Sequence, residues 1–321
     1  MTDHDLNRQD WLRPLGSTGL TVSAVAIGGG PIGSMPQMFG YDVPAQQAID
    51  LVADILRGPI RVIDTSNGYS DGESERRIGA GIRRVGGLTG GHWIATKVDG
   101  RDGNYSGARI RRSVEESMER LGLTHLPLVY LHDPEYALDH GLDSPGGAVD
   151  ALVSLRDQGV IGHIGVAGGD IAVMNRFLDL EVFEVLLTHN RYSLVDRSAA
   201  TLIARAAAAG LGVVNAAYLG GGLLANPRGP KSYGYRPAKP ATIEAALALE
   251  CLCKEWGTDL ATAALQFSLR DPRIHMSTVG ISKPERLAAL WRSIQVELPS
   301  EFWAAAEDLL PDPENWLEPP A

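Results

Sequence analysis

Asp64 and Tyr69 open the segment DTSNGYSDGESERRIG (64–79), Lys97 ends the run IATK, and His132 ends the run VYLH. A carboxylate, a phenol, an ammonium and an imidazole are the parts of a proton-transfer site. A free tyrosine titrates near about 10, too high for efficient proton exchange at neutral pH, and an adjacent ammonium favours the phenolate and lowers that value. Asp64 would hold Lys97 charged and in place. Tyr69 would then donate a proton to a carbonyl oxygen being reduced, or accept one from an alcohol being oxidised, while His132 hydrogen-bonds the same oxygen and fixes its orientation.

For this chemistry the four residues must meet, and each follows a short apolar run. Eight such runs recur: TVSAVAIG (21–28), IRVIDT (60–65), HWIATK (92–97), LPLVYLH (126–132), GHIGVA (162–167), FEVLLTH (183–189), GLGVVNAA (210–217) and IHMSTVG (274–280). Segments with helical spacing separate them, among them AQQAIDLVADIL (45–56), GARIRRSVEESMERLG (107–122), GAVDALVSLRDQG (147–159) and SAATLIARAAAAG (198–210). The last three end at a glycine, as helices do where one residue turns left-handed. Strands apolar throughout are expected where both faces are buried. The pattern predicts an α/β fold, a (β/α)8 TIM-type barrel over residues 1–321 as one domain, whose strand ends converge on one rim. RPLGSTGLTVS (13–23) reads as an N-terminal hairpin turning at Ser17-Thr18-Gly19, and 219–240 as a lid loop.

Composition narrows the function. Apolar residues make up 44% of 321, enough for a large core, and 29 basic against 39 acidic residues give a net charge of −10. That charge repels phosphate backbones and anionic lipid, so neither nucleic acid nor a membrane is expected as a partner. MTDHDLNRQD lacks the basic and then apolar character of a signal peptide, and no long uncharged apolar stretch follows. A cytoplasmic location is the expectation. Cys251 and Cys253 lie two apart in a helical pattern and read as reduced thiols. GGGPIG (28–33) matches G-x-G-x-x-G, but Pro31 and Pro36 bracket the place where a dinucleotide-binding helix would begin, and helical period resumes only near Pro44. No H-x-H pair sits on the first strand, so a metal hydrolase is not expected and no metal is assigned.

The motif D64-T-S-N-G-Y69 followed by S74-E75-R-R-I-G79, with IATK97 and VYLH132 behind it, resembles the aldo-keto reductases along nearly the whole chain. GHIGV (162–166), RYSLVDR (191–197) and NAAYLGGGLL (215–224) add to the likeness. With YLHDPE (130–135), the last looks most like the sugar-oxidising branch: aldose 1-dehydrogenases active on fucose-, galactose- or arabinose-type sugars, and their pyridoxal-oxidising relatives. The resemblance implies Asp64, Tyr69, Lys97 and His132 as a catalytic tetrad. It also implies a nicotinamide dinucleotide bound without a Rossmann fold, and reversible hydride transfer at a carbonyl or alcohol carbon of a small aldehyde, ketone or sugar.

For the cofactor, NADP or NAD, VGISKPERLAAL (279–290) offers Gly280 and Ser282 at a helix start, with Lys283 and Arg286 adding charge that favours a 2′-phosphate. His189, Asn190, Ala217 and Tyr218 are further candidates for cofactor contact. Against the family pattern, Ala167-Gly168 replaces the serine-asparagine pair that holds the carboxamide, His189 replaces a glutamine, Leu290 an asparagine at the adenine, and Ala216 a stacking tyrosine. His92 and His163 begin strands and read as structural, and Trp256 as packing. A second reading is a barrel that binds the cofactor for regulation or redox sensing and hardly turns over. Substrate, direction and oligomeric state are not fixed by any motif.

Overall fold

The computed structural model describes residues 11–319; the polar start MTDHDLNRQD lies outside them. A hairpin comes first, β1 (Leu12–Pro14) pairing antiparallel with β2 (Thr21–Ser23). Then strands and helices alternate: β3 (Val25–Gly28), α1 (Pro36–Phe39), α2 (Ala45–Ile55), β4 (Val62–Asp64), α3 (Glu73–Arg84), β5 (Trp93–Val98) and α4 (Gly107–Leu121). The middle of the chain adds β6 (Leu126–His132), α5 (Ala148–Asp157), β7 (Ile161–Gly168), α6 (Ile171–Leu178), β8 (Val185–His189), α7 (Ala200–Ala208) and β9 (Gly212–Ala216). A second small hairpin, β10 (Ser232–Tyr233) with β11 (Arg236–Pro237), leads to α8 (Pro240–Glu255), α9 (Leu260–Leu269), β12 (Met276–Gly280), α10 (Pro284–Ile294) and α11 (Ser300–Glu307).

Eight strands close into a parallel barrel in the order β12-β3-β4-β5-β6-β7-β8-β9, which is the TIM-type fold the alternation predicts. The glycines at 122, 159 and 210 all turn left-handed, with φ of 72°, 71° and 78°, and stop α4, α5 and α7 near where the sequence places their ends. One expectation needs correction: MPQMFGYD does contain helix, the single turn α1, which Pro36 can begin because its missing N–H has no partner in a first turn.

Side-chain parity along the strands decides what reaches the site. Val62, Trp93, Ala95, Leu128, Tyr130, Val185 and Leu187 fill the barrel interior. Because alternate residues face the same side, Asp64, Lys97, His132 and His189, each two residues beyond an interior residue, also point inward, at the carboxyl ends. The opposite end is stoppered by the first hairpin, whose Leu15 and Val22 are fully buried in the same cluster. Ser17 N–H donates to Gly210 O there, at 3.0 Å. A second apolar layer lies between the strands and the surrounding helices.

Two of these helices approach at van der Waals limits. A Cβ on Gly79, in α3, would run into the Arg120 carbonyl oxygen and sit 3.0 Å from the Leu121 Cα. Both obstacles are backbone, so they cannot rotate away. The glycine that closes the E-x-x-I-G segment is thus a packing requirement between α3 and α4. Gly79→Ala is expected to lower the stability of the fold by about 1–3 kcal/mol, read as a fall in urea midpoint at unchanged slope; an unchanged midpoint would show that the helices separate freely.

Candidate active site

The inward-facing residues meet at the mouth. Lys97 and Asp64 are only 2% and 4% exposed, and Lys97 Nζ donates to Asp64 Oδ2 at 2.8 Å and to Thr65 O at 2.7 Å. The same ammonium lies 3.5 Å from Tyr69 Oη and 5.0 Å from the centre of its ring. The His132 ring meets the Tyr69 ring edge-on, with centroids 5.7 Å apart at 75°. Three strands and one loop thus bring the four sequence-predicted residues into one cluster.

The electrostatics of the cluster differ from the sequence expectation in one respect. Burial alone would lower the Lys97 ammonium, but the Asp64 carboxylate and the Tyr69 oxygen offset it, and Lys97 is held above its ordinary value, fully charged. Burial raises the Tyr69 phenol, Lys97 pulls it down, and Asp64 pushes it up again. Lys97 therefore acts with the expected sign, yet the net is a phenol above its ordinary value. Tyr69 thus keeps its proton at neutral pH.

His132 is flanked by two carboxylates that the motifs do not include. Its Nδ1 is 2.5 Å from Asp99 Oδ1, and its Nε2 is 3.7 Å from Asp133 Oδ2. Burial opposes charge on the imidazole, but Asp99 and Asp133 outweigh it and His132 is raised. In turn burial raises both acids while the His132 charge lowers them, leaving Asp99 below its usual range and Asp133 at about 2. Asp99 had a readable signal, since it stands two residues beyond Lys97 on the strand parity that points inward. Asp133 stands next to His132 in a left-handed conformation, φ 41°, unusual for a residue with a side chain.

The loop carrying Tyr69 is fixed from outside the barrel. Asn67 Nδ2 donates to Ser113 O at 3.1 Å, and Arg120 Nη1 donates to Asn67 O at 3.1 Å. The same guanidinium meets Glu75 Oε2 at 3.0 Å, and Glu75 Oε1 accepts from Thr96 Oγ1 at 2.7 Å. Glu75 has no exposed surface, and burial raises its carboxyl against these partners.

The candidates for cofactor contact are dispersed along the other half of the rim. Gly280 ends β12 exposed, and α10 begins at Pro284 with no side chain capping its first N–H groups. Lys283 and Arg286 are exposed there, and among the described residues neither has an ion-pair partner. Ser282 is 4% exposed, with its hydroxyl donating to Tyr41 Oη at 3.0 Å. His189 Nε2 is 3.5 Å from Asp133 Oδ1, and its Nδ1 is 3.2 Å from Asn190 Nδ2. Asn190 is 1% exposed and its Oδ1 has no hydrogen-bond partner. Ala217, half-buried, follows β9 with φ 53°.

Tyr218 needs correction. It is 2% exposed and packed in the outer apolar layer, so its ring offers no face to a ligand. Leu290 is likewise buried, on α10. At Ala167-Gly168 the space is filled by Glu135: a Cβ on Gly168 would lie 2.6 Å from Glu135 Oε2, while Oε1 accepts from Gly169 N at 2.7 Å. A buried amide oxygen lacking a donor, an uncapped helix start and two unpaired cations suit a dinucleotide that is anionic at one end and carries an amide at the other.

The segment 219–240 forms a wall of the mouth. Tyr233 Oη donates to Asn190 O at 2.7 Å, and Tyr235 stands at the turn of the β10–β11 hairpin, 6.2 Å from the His189 ring. With Met35, Met38 and Ser70 it lines a cleft. The last described residues brace this wall: Leu317 packs where a Cβ on Gly234 would fall, Arg191 Nε pairs with Glu318, and Ile171 N–H donates to Glu318 at 2.7 Å. His92 and His163 lie at the other end of the barrel, bonded to Gly58 O and Glu184. Among the described residues, Cys251 and Cys253 are free thiols, and no helix is long and apolar enough to cross a membrane.

Residues 25–311 match the Aldo/keto reductase family. Over 96% of this chain and 97% of that protein, the sequence is 31% identical to L-galactose dehydrogenase of Arabidopsis thaliana. It is 28% identical to D-threo-aldose 1-dehydrogenase of a Pseudomonas species over 92% of this chain and 97% of that protein. In fold it is similar to the holo form of the aldo-keto reductase AKR11C1 from Bacillus halodurans, with a TM-score of 0.76 at 22% identity, covering 93% of this chain and 96% of that one.

The Glu75–Arg120 pair generates a stability prediction. Arg120→Ala leaves the Glu75 carboxylate buried without its cation and should cost about 3–5 kcal/mol in chemical denaturation, whereas Glu75→Gln, which leaves Arg120 still beside the Glu116 carboxylate at 3.7 Å, should cost less. The reverse ranking would mean that the carboxylate does not depend on Arg120.

Proposed function

This chain belongs to the aldo/keto reductase family, and we propose from that premise that it oxidises sugars or reduces small aldehydes, with Tyr69 as general acid and base. Members of the family use a nicotinamide dinucleotide, which when bound supplies the hydride donor or acceptor. The protein is an oxidoreductase. The observation that carries the residue roles is the Lys97 ammonium lying between Asp64 and Tyr69 at the inward rim, with His132 against the same phenol.

In the reducing direction the substrate oxygen takes the Tyr69 proton as negative charge builds on it. The raised phenol keeps that proton available, and the charged Lys97 stabilises the phenolate left behind. The oxidising direction needs Tyr69 as phenolate to receive the hydroxyl proton; the same ammonium stabilises that form, which burial disfavours, so oxidation gains as pH rises. His132 orients the oxygen by a hydrogen bond, and Asp64 keeps Lys97 in register. On the other half of the rim, Lys283, Arg286 and the first N–H groups of α10 would hold the cofactor's phosphates, and Asn190 with His189 its amide. The two cations favour NADP over NAD. The likeness to dehydrogenases of galactose- and aldose-type sugars supports a hemiacetal carbon as the reacting centre.

The regulatory alternative, binding without turnover, is not favoured by the family match to sugar dehydrogenases along nearly the whole chain. Tyr69→Phe keeps the ring and removes the proton. Turnover, followed by absorbance at 340 nm across a panel of aldoses and aldehydes, should fall about 10²–10⁴-fold, with NADPH and NADH affinities in fluorescence titration unchanged. Near-normal rates in that variant would remove Tyr69 from the proton path.

A further inference from the structure

Asp99 lies outside those four residues, yet it ties one of them, His132, to the loop that carries another, Tyr69. Its Oδ1 accepts from His132 Nδ1 at 2.5 Å, and its Oδ2 accepts from the Gly68 N–H at 2.8 Å and from the Ser66 hydroxyl. Ser66 Oγ is also 3.3 Å from His132 Nδ1. One carboxylate therefore joins three elements: the end of β5, the end of β6, and the loop that delivers Tyr69. The approach is close enough to decide the residue at 68, since a Cβ on Gly68 would lie 2.9 Å from Asp99 Oδ2. All of this sits on the Nδ1 side of the imidazole; Nε2 has the Asp133 carboxylate 3.7 Å away, beyond hydrogen-bond distance, and is the nitrogen left to bond a ligand.

We propose that Asp99 is a positioning residue that holds His132 by Nδ1 and favours a proton on both ring nitrogens, so that Nε2–H is aimed at the substrate oxygen with its donor strength increased by the carboxylate behind it. The proposal rests on the reading that His132 contacts the reacting oxygen. A charged donor strengthens as negative charge develops on that oxygen, so it stabilises the transition state more than the bound carbonyl. The groups facing the imidazole are Asp99 and Asp133, which favour its charge, and Lys97, which opposes it; the Tyr69 ring meets it edge-on, and His189 lies beyond Asp133. Burial disfavours the charge as well, and the two carboxylates prevail. Raised above its ordinary value, His132 stays cationic further into the neutral range than a free histidine, and loses that charge as pH rises through its raised value.

Asp99→Asn tests this at nearly constant size. An amide can accept from Nδ1 but brings no charge, and its single acceptor oxygen cannot serve both the imidazole and the Gly68 N–H. In the cofactor-free protein labelled with 15N-histidine, the His132 titration, identified by its loss in His132→Gln among the eight histidines, should move to lower pH. The alkaline limb of kcat/KM for carbonyl reduction should move the same way. At pH 8 kcat should fall roughly ten- to a hundredfold, less than the 10²–10³ typical of deleting an oxyanion donor, with KM less affected. NADPH affinity by fluorescence should stay at the wild-type value, which also checks the fold. Ser66→Ala, which keeps the carboxylate, should leave the titration in place. An unmoved His132 titration in Asp99→Asn overturns the proposal. A titration that moves while the pH limb stays overturns the claim that the charge serves the reaction, and if His132→Gln also keeps its rate, the parent reading of His132 has failed instead.

Discussion

The ion pair between Lys97 and Asp64 is the constraint on which the mouth depends. Two charges at 2% and 4% exposure are stable only because every polar direction of the ammonium is occupied, by the Asp64 carboxylate, the Thr65 carbonyl and the Tyr69 hydroxyl. Each partner comes from β4 or the loop behind it, while Lys97 comes from β5. The register of these two strands, with Asp64 opposite Ala95, puts the lysine's origin two residues further along the barrel, so its long stem reaches back over the carboxylate. The pair is thus a consequence of strand stagger as much as of charge.

Around that pair the protein is organised by which side of each strand faces inward. The interior is closed below by Leu15 and Val22 and filled by Tyr130 and its neighbours, so polar groups reach the lumen only at its upper layer. The loop from Thr65 to Gly72 then hangs between two anchors of different kind: Asp99 from inside, through Gly68 and Ser66, and Arg120 from outside, through Asn67 and Glu75. A phenol placed on such a loop has little freedom to turn away, which is the property a proton-transfer group needs.

Much of this was legible beforehand. The barrel followed from eight apolar runs spaced by helical segments, and helix ends at Gly122, Gly159 and Gly210 followed from the conformation only glycine adopts readily. The grouping of Asp64, Tyr69, Lys97 and His132 followed from strand-end convergence. What could not be read was anything set by burial in three dimensions. The net shift of Tyr69 depends on how far the surrounding side chains exclude water, and Tyr218 packs in the outer apolar layer, directly after Ala217 with its left-handed φ of 53°. Glu75 escaped for another reason: its partners Thr96 and Arg120 lie on neighbouring βα units, and a one-dimensional pattern does not say which face of one loop meets which residue of the next. Asp99 carried a parity signal two residues beyond Lys97, but its pairing with His132 carried none. Glu135 filling the place beside Gly168 belongs to the same class.

The bracing of the β10–β11 hairpin by the final described residues divides responsibility around the rim. Proton handling is secured by bonds among β4, β5, β6 and α4, whereas the wall that bounds the cleft is held through Asn190, Arg191, Leu317 and Glu318. The two sets meet at Asp133, whose Oδ1 lies 3.5 Å from His189 Nε2 beside the Tyr235 ring. Selection could therefore redraw what fits into the cleft by altering a peripheral strap, leaving the acid–base apparatus untouched, and one inherited chemistry could be fitted to many molecules in turn.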